Sequence, residues 1–260
     1  MSVYVVTLLV VTVAMLLLWL LSLKLKDASI VDVFWGLGFA LLAWTSHVVT
    51  DGFAPRKLLI TALATVWGVR LAWHIGSRNL GKGEDFRYQA MRRKHGERFP
   101  VVSLYTVFAL QGALMWIISL PLQAAQNSAA PDSLTTLDWL GTAVWLFGFG
   151  FETIGDRQLK RFKENPANTG KVMNRGLWAY TRHPNYFGDA VLWWGYFLIA
   201  CAAGAWWTIF SPVLMTALLL KVSGVALLEK SLRRTKPDYE SYVRRTNAFF
   251  PWMPKSEPEQ

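Results

Sequence analysis

The segment 176–189 combines a predicted helix start with polar side chains that could bind an anionic ligand. Pro184 suits the first turn of a helix, where the missing N–H group leaves no hydrogen bond unmade. Asn185 and Asp189 then lie four residues apart on one helix face. Unpaired N–H groups and the positive end of the helix dipole favour an anion there, although a capped helix start beside interfacial aromatic residues explains the same pattern. The segment also contains Arg182, His183 and Tyr186.

A second group of charged side chains recurs upstream at helical spacing. Its members are Glu152, Asp156, Lys160 and Lys163. Their separations of four, four and three residues place them on one helix face. One interpretation is a ladder of i,i+4 ion pairs on an exposed helix end, each pair worth roughly 0.2–0.5 kcal/mol. The other is a nucleotide site in which acids bind ribose or amide groups and lysines bind phosphates.

A third group lies in apolar sequence nearer the N-terminus. Asp32 and Trp35 occur in the apolar stretch 30–49, and Arg70 occurs in the stretch 57–77. Ionisable side chains are costly at membrane depth, so each is a functional candidate. An ion pair between Asp32 and Arg70 would satisfy both charges, and a catalytic role is the alternative. The sequence leaves both open.

Long apolar runs dominate this chain of 260 residues, in which 53% of residues are hydrophobic. Runs of roughly 18 or more apolar residues are typical of transmembrane helices. The sequence therefore predicts an all-α, polytopic integral membrane protein. The seven predicted spans are 3–23, 30–49, 57–77, 101–124, 135–155, 187–204 and 206–228.

The distribution of positive charge predicts the orientation of these spans. The net charge of +10 collects in the loops 78–100 and 156–186 and in the tail after 228, whereas 125–134 contains no Lys or Arg. Because basic loops stay in the cytoplasm, the N-terminus is expected outside and the C-terminus inside. Orientation explains the charge, so a nucleic-acid partner is not expected.

The remaining composition narrows the possible sites. Cys201 is the only cysteine, and the four histidines lack the spacing of a zinc site, so neither a disulfide nor a metal centre is expected. No long linker or repeat is visible. We expect one membrane-embedded domain over 1–260, with a cofactor-binding half at about 150–252.

Several motifs together resemble the steroid 5-alpha-reductase family, and above all its bacterial branch of integral membrane proteins. The resemblance covers nearly the whole chain and is strongest from about 150 to 252. The motifs are Asp32-x-x-Trp35-Gly36, Asp156-x-Gln158, Phe162-Lys163, Asn168-x-Gly170-Lys171, the segment 176–189, and Tyr239-x-x-Tyr242-x-x-x-Thr246-x-x-Phe249-Phe250-Pro251.

The resemblance implies a seven-helix reductase of the bacterial inner membrane that binds NADPH from the cytoplasmic side. It would reduce a carbon–carbon double bond conjugated to a carbonyl in a lipophilic, steroid- or isoprenoid-like substrate. In the family a glutamate and a tyrosine hold the ketone; here Asp32 and Trp67 fall in those regions, and Asp189 replaces another glutamate. The implied cofactor-binding residues are Asp156, Lys160, Lys163, Arg182, His183, Asn185, Tyr186, Asp189, Arg234 and Tyr242.

For catalysis we expect a hydrogen-bond donor near Asp32, Trp35 and Arg70 to stabilise the developing oxyanion. A rival interpretation is a membrane methyltransferase of the isoprenylcysteine or phospholipid type that binds S-adenosylmethionine, because Arg182-His183-Pro184-x-Tyr186 is similar to its motif. The lysines favour a phosphate-bearing cofactor instead, since that methyl donor has no phosphate. A non-enzymatic lipid-binding or transport protein is a further alternative, but it would place polar groups near the bilayer midplane.

Overall fold

The computed structural model describes residues 1–79, 81–222, 229, 232–233 and 235–255. Regular structure in these residues is entirely helical, which confirms the predicted all-α class. The helices are α1 (Val3–Leu25), α2 (Ile30–Val49), α3 (Ala54–Asn79), α4 (Phe86–His95), α5 (Phe99–Ser103), α6 (Leu110–Ile118), α7 (Leu120–Asn127), α8 (Thr136–Glu164), α9 (Leu177–Tyr180), α10 (Pro184–Ala202), α11 (Phe210–Ala217) and α12 (Tyr239–Arg245). Short 3-10 helices lie at Gly96–Arg98, Pro166–Asn168 and Trp206–Ile209, and π-helical turns at Leu104–Ala109 and Leu218–Val222.

Four helical stretches in the described part of the chain are long and apolar enough to cross a membrane. They are Val3–Leu25, Ile30–Val49, Ala54–Asn79 and Phe86–Ile118. These stretches fit an integral membrane protein. The predicted spans 135–155, 187–204 and 206–228 are not among the four, so the count of seven and the orientation stay predictions.

The chain divides into two compact units. Unit 1 contains Met1–Asp138 and Ala200–Thr208, and unit 2 contains the described residues of Trp139–Ile199 and Ile209–Gln260. Unit 1 therefore holds α1 to α7, and unit 2 holds most of α8 and of α10 together with α9, α11 and α12. The prediction of one domain is neither confirmed nor contradicted by this division.

Helix α1 contacts the rest of unit 1 along one stripe. Val3, Thr7, Val11 and Met15 are buried and follow one another at intervals of four residues. The leucines on the other faces are exposed, with Leu17 at 61%. A helix that is apolar all round but buried on one stripe is typical of a span with a lipid-facing side.

Helices α2 and α3 cross at a pair of glycines. A Cβ atom at Gly36 would lie 2.6 Å from the carbonyl oxygen of Gly68, and one at Gly68 would lie 2.3 Å from that of Gly36. Small residues at a membrane-helix crossing let the two backbones approach closely. This crossing places the N-terminal end of α2, with Asp32, against the C-terminal half of α3.

The predicted loop 78–100 contains a helix that the sequence did not reveal. Asp85 caps α4, because its Oδ1 accepts from the N–H of Arg87 at 3.0 Å. Helical structure then runs to Ile118 and breaks at Ser119, so the predicted span 101–124 differs from the structure at both ends. The many basic side chains lowered the mean hydropathy of α4, and this hid its continuity with the apolar helix that follows.

In unit 2, α8 and α10 pack through glycines that recur every seven residues. Gly141, Gly148 and Gly155 lie on α8, and Gly188 and Gly195 lie on α10. A Cβ at Gly148 would lie 2.6 Å from the Gly188 carbonyl oxygen, and one at Gly195 would lie 2.7 Å from that of Gly141. A seven-residue repeat keeps one stripe facing the partner helix. Gly141, Gly148 and Gly155 are therefore packing contacts, and this stripe brings Glu152 and Asp156 to the start of α10.

The C-terminal segment is hydrogen-bonded along the segment 176–189. The N–H of Arg182 donates to the Asn247 carbonyl at 2.9 Å, and the N–H of Trp252 donates to the Tyr180 carbonyl at 2.9 Å. The Thr181 hydroxyl donates to the Phe249 carbonyl at 2.8 Å. These contacts fix the position of the chain just before α10 begins at Pro184.

Candidate functional site

The start of α10 leaves one amide oxygen without a partner. The helix begins at Pro184, as predicted. Asn185 Nδ2 donates to Asp156 Oδ1 at 3.0 Å. Because a carboxylate only accepts, this contact fixes which side of the Asn185 amide is Nδ2 and turns Oδ1 away. The buried Oδ1 has no donor among the described residues, so it is an acceptor available to a ligand.

Arg182 joins the segment 176–189 to the C-terminal part of the chain. Its Nε and Nη2 both lie 2.8 Å from Glu229 Oε1. Its Nη1 donates to the carbonyl oxygens of Val243 and Thr246. Four of the five guanidinium donors are therefore used inside unit 2, and the residue is only 9% exposed. The side chain thus acts mainly as a structural clamp.

Glu229 is held in the ionised form by the same clamp. Its Oε1 also lies 3.2 Å from His183 Nε2. Burial would raise the pKa of Glu229, but the hydrogen bonds and charges of His183 and Arg182 outweigh it and lower the pKa to about 2. Glu229 directly follows the last predicted span, 206–228, so we expect this charge at the membrane surface.

His183 presents a second buried atom without a partner. Because the ionised Glu229 can only accept, His183 Nε2 carries a proton. The other ring nitrogen, Nδ1, is buried and has no partner in the described part of the chain. Tyr186 stacks on the imidazole, with ring centroids 5.6 Å apart and planes at 6°. The His183 side chain therefore has a fixed orientation.

A cavity of about 300 Å³ lies within unit 2. Most of its wall is apolar or aromatic, and its contributors include Leu159, Phe162, Trp178, Tyr239 and Tyr242. The charged side chains that line it are Lys163, Lys171, Arg182 and Lys236. All four are cationic. Its volume lies at the lower end of the range for small-molecule sites.

The loop 168–171, which lines the cavity, is held by one local and one long-range hydrogen bond. Asn168 Nδ2 donates to the Phe162 carbonyl at 2.9 Å. Gly170 has φ +82°, a left-handed conformation that favours glycine. Lys236 Nζ donates to the Lys171 carbonyl at 3.0 Å. The motif Asn168-x-Gly170-Lys171, which is part of the family resemblance, therefore forms part of the cavity wall.

Unit 1 contains a separate polar cluster at the N-terminal end of α2. Asp32 Oδ2 accepts from Arg87 Nη2 at 2.6 Å, and Asp32 Oδ1 accepts from the Tyr88 hydroxyl at 2.7 Å. Gln111 Nε2 lies 3.4 Å from the same hydroxyl. The sequence left an ion pair between Asp32 and Arg70 open; the structure shows Arg87 and Tyr88, at the start of α4, as hydrogen-bond partners of Asp32.

Two further carboxylates attach the connection between α3 and α4 to the same end of α2. Glu84 Oε1 accepts from the Ala28 N–H at 2.9 Å and from Arg92 Nη2 at 2.8 Å. Burial would raise the pKa of Glu84, but the Arg92 and Ala28 hydrogen bonds outweigh it and lower the pKa. The pKa of Asp85 is lowered in the same way, mainly by hydrogen bonds from Arg87. The cluster is therefore built largely from charges that neutralise one another.

Aromatic side chains continue from this cluster into unit 1. Trp35 contacts Phe39 edge-on with centroids 5.2 Å apart, and Phe39 contacts Trp67 at 5.7 Å. Trp67 is fully buried. The structure thus brings Tyr88, rather than Trp67, to the carboxylate of Asp32. A tyrosine within a basic, polar stretch gave no signal of that contact in the sequence.

Residues 18–246 match the family described as "Protein of unknown function (DUF1295)". The chain belongs to this family. An uncharacterised protein of Schizosaccharomyces pombe is 25% identical to this DUF1295 chain over 264 residues, which cover 90% of this chain and 75% of the yeast protein. The 3-oxo-5-alpha-steroid 4-dehydrogenase 1 of Bos taurus is 35% identical over 77 residues, which cover 26% of this chain and 30% of the bovine protein. No solved structure matches.

The bovine match confirms the resemblance to the steroid 5-alpha-reductase family. Within the DUF1295 chain, the predicted cofactor residues fall into two groups of contacts. Lys163, Arg182 and Tyr242 line the cavity, whereas Asp156 and Asn185 meet at the start of α10. Arg234 lies outside the described residues.

The charged residues at 152, 156, 160 and 163 differ in their exposure to solvent, so they do not form a single exposed ladder of ion pairs. Glu152 and Asp156 are 3% and 5% exposed, so they do not form an exposed ladder. Lys160 lies 3.9 Å from Glu164, and both side chains are more than half exposed. Lys160 does not line the cavity. Lys171 and Lys236 line the cavity. The sequence did not predict either lysine as a cofactor-binding residue. Lys171 belongs to a quoted motif, which was the available signal.

Proposed function

We propose that this DUF1295 protein is a membrane oxidoreductase that uses NADPH to reduce a carbon–carbon double bond conjugated to a carbonyl. The proposed substrate is lipophilic and steroid- or isoprenoid-like. The observation that carries the proposal is the start of α10, where Asn185 Oδ1 and His183 Nδ1 are buried without partners among the described residues. A buried acceptor that lacks a donor destabilises a protein by about 1–3 kcal/mol. Such atoms at a motif shared with reductases support a ligand site.

The chemistry of these atoms fits a nicotinamide cofactor. A carboxamide N–H could donate to Asn185 Oδ1, and Asp156 holds the Asn185 side chain in position for it. The cationic cavity fits the phosphate-bearing part of the same molecule. When bound, the nicotinamide would supply the hydride. The protein would hold the cofactor through Asn185, His183 and Asp189 and would keep water from the apolar cavity.

The candidates for binding the substrate carbonyl are the residues around Asp32. Asp32, Trp35 and Arg70 keep the roles expected from the sequence. The contact between the Tyr88 hydroxyl and Asp32 adds a phenol to this group. A carboxylate and a phenol are also the pair that the family resemblance implies. We therefore include Tyr88 as the positioned proton donor of the proposal.

The proposed membrane arrangement is the one that the apolar runs and the basic loops predict. The chain would span the bacterial inner membrane seven times as one domain, with the N-terminus outside. The cofactor site would face the cytoplasm. Basic loops and the four apolar helices support this arrangement. Membrane lipid and a lipophilic substrate would be its partners.

Thermal stabilisation by ligands tests the proposal on the full-length protein in detergent. A ligand that binds the folded state raises its apparent stability. We expect NADPH to raise the midpoint of unfolding and S-adenosylmethionine to leave it unchanged. Asn185→Ala should abolish the shift, because it removes the available acceptor together with the contact to Asp156.

Gly150→Ala serves as the control variant. No atom lies within 4 Å of the position of its added Cβ, so it should retain the shift with NADPH. A shift with S-adenosylmethionine alone would contradict the reductase and support the methyltransferase. A shift with neither ligand would remove the support for a nucleotide site.

A further inference from the structure

We propose that the C-terminal segment 249–255 is an interfacial membrane anchor for unit 2. Its exposed apolar side chains enter the headgroup region of a bilayer, and the cationic side chains beside them bind acidic phospholipid. This anchor is separate from the proposed reductase activity and does not depend on it. Three features of the segment support it: its exposed side chains, its fixed backbone and its charge.

Three large apolar side chains of the segment are mostly exposed. Phe250, Trp252 and Met253 are 70%, 71% and 73% exposed. Tyr180 is 42% exposed, and its carbonyl accepts from the N–H of Trp252 at 2.9 Å. We call these four residues the apolar patch. Neighbouring apolar side chains that stay exposed typically mark a binding surface.

The apolar patch is not the lipid-facing side of a transmembrane helix. The last predicted span ends at residue 228, and the described residues 246–255 contain no helix. Pro251 and Pro254 disfavour one, because each lacks a backbone N–H and restricts the residue before it. An apolar segment that cannot span a bilayer can still lie at its surface.

The backbone of the segment is held in place while its side chains stay exposed. The Thr181 hydroxyl donates to the Phe249 carbonyl at 2.8 Å, and the Lys255 N–H donates to the Arg245 carbonyl at 2.9 Å. Phe249 points the other way from its neighbours, since it is only 6% exposed and contacts Phe187 with ring centroids 5.9 Å apart. A surface on a fixed backbone loses little conformational entropy when it binds.

The charges around the apolar patch favour an anionic surface. Arg244, Arg245 and Lys255 lie within residues 241–255, which contain no Asp or Glu. Arg244 and Lys255 are exposed. Each cation close to an anionic bilayer strengthens the attraction by about fivefold. Tryptophan and tyrosine beside cations are typical of the membrane interface.

Lipid is the occupant that these observations favour. The chain contains four helical stretches that fit an integral membrane protein, so a bilayer is always close to it. A fixed apolar patch flanked by cations matches the apolar edge and the anionic headgroups of that bilayer. A second copy of the chain would have to supply carboxylates for the same cations.

The test measures the depth of the patch with the full-length protein in lipid discs. Met253→Cys carries an environment-sensitive fluorophore; the native Cys201 is buried, so the added thiol takes the label. Discs of phosphatidylcholine, with or without phosphatidylglycerol, contain lipids brominated at different chain positions. We expect the strongest quenching from bromine close to the headgroup, because interfacial segments enter by only about 5–10 Å.

Ala167→Cys is the matched control. Ala167 is an exposed residue of unit 2 outside the apolar patch, so its label should be quenched by aqueous iodide and not by brominated lipid. Phosphatidylglycerol should increase the lipid quenching at position 253. The double variant Arg244→Gln, Lys255→Gln should lose this increase, and high salt should reduce it. Unfolding midpoints of the labelled variants identify any loss of fold.

Four outcomes would overturn the anchor. In the first, brominated lipid does not quench the label at position 253 although iodide does. In the second, position 253 is shielded from both quenchers, which would mean that protein covers the patch. In the third, positions 253 and 167 are quenched equally by lipid. In the fourth, phosphatidylglycerol or the loss of the two cations has no effect. None of these outcomes bears on NADPH binding, so the proposed function is tested separately.

Discussion

The two units differ in whether their buried polar groups have hydrogen-bond partners among the described residues. In unit 1, Arg56 and Asp138 are fully buried and form an ion pair of 2.8 Å, and Asp32 is satisfied by Arg87 and Tyr88. In unit 2, Asn185 Oδ1 and His183 Nδ1 have no partner among the described residues. Buried groups that satisfy each other fix an arrangement of helices. Buried groups that lack partners reduce stability unless a ligand completes them, and this contrast supports assigning the cofactor to unit 2.

The largest loss of stability is expected where the backbones of α8 and α10 leave no room for a side chain. In Gly188→Val, the new Cβ would lie 2.4 Å from the backbone N of Glu152. Helix backbones cannot separate without losing the α8–α10 contacts, so we expect a loss of more than about 4 kcal/mol or no folded protein. Recovery of monodisperse protein and the midpoint of thermal unfolding measure this.

A helical glycine outside the packing stripe is the comparison for that variant. Gly150→Ala introduces a Cβ into open space and should stabilise α8 slightly, by up to about 1 kcal/mol. Similar loss in the two variants would mean that the glycine stripe does not define the packing of α8 on α10.

The next effect concerns the clamp of unit 2 and depends on pH. Glu229→Gln removes the negative charge between Arg182 and His183, and we expect a loss on the order of 2 kcal/mol at neutral pH. The pKa of Glu229 is about 2 in the folded protein, lower than the roughly 4.3 of an unfolded glutamate. Its contribution is therefore complete above about pH 4.3 and is lost as the pH falls toward 2.

The unfolding midpoint of the wild type and the variant, measured from about pH 6 to about pH 3, tests this prediction. The difference between them should shrink as the pH falls. A difference that stays constant over this range would show that the charge of Glu229 does not stabilise the clamp. Glu84→Gln in unit 1 is a useful comparison, since the pKa of Glu84 is also lowered.

The smallest effect on stability is expected in unit 1, where Asp32 has two hydrogen-bond partners. Tyr88→Phe removes one of the two hydrogen bonds to Asp32 but leaves Arg87 in place. We expect a loss of about 1 kcal/mol and no change in the affinity for NADPH, because the cavity of unit 2 is unaltered. Turnover of an enone substrate should fall strongly.

Unfolding midpoints, NADPH affinity and turnover separate the two roles of Tyr88. A fall in NADPH affinity comparable with that of Asn185→Ala would contradict a role for Tyr88 that is separate from cofactor binding. Unchanged turnover would remove Tyr88 from the proposed reaction and leave it as a structural partner of Asp32.

The sequence determined those features that depend on local pattern. The runs of apolar residues indicated the all-α membrane class, and Pro184 marked the start of α10. The family motifs between 150 and 252 indicated the residues that meet at the start of α10, including Asp156 and Asn185. Each of these predictions follows from hydropathy, from the chemistry of proline or from a motif, and none requires knowledge of distant contacts.

The tertiary structure decided which charges meet. Asp32 pairs with Arg87 because the start of α4 lies beside the start of α2, and helical spacing within α2 and α3 could not show this. Lys236 reaches the cavity through a hydrogen bond to the Lys171 carbonyl, across 65 positions of the chain. Arg182 forms an ion pair with Glu229 and donates hydrogen bonds to backbone carbonyls. Long-range partners of ionic groups depend on packing, and the packing of α8 on α10 in turn depends on glycines whose role is visible only when two helices touch.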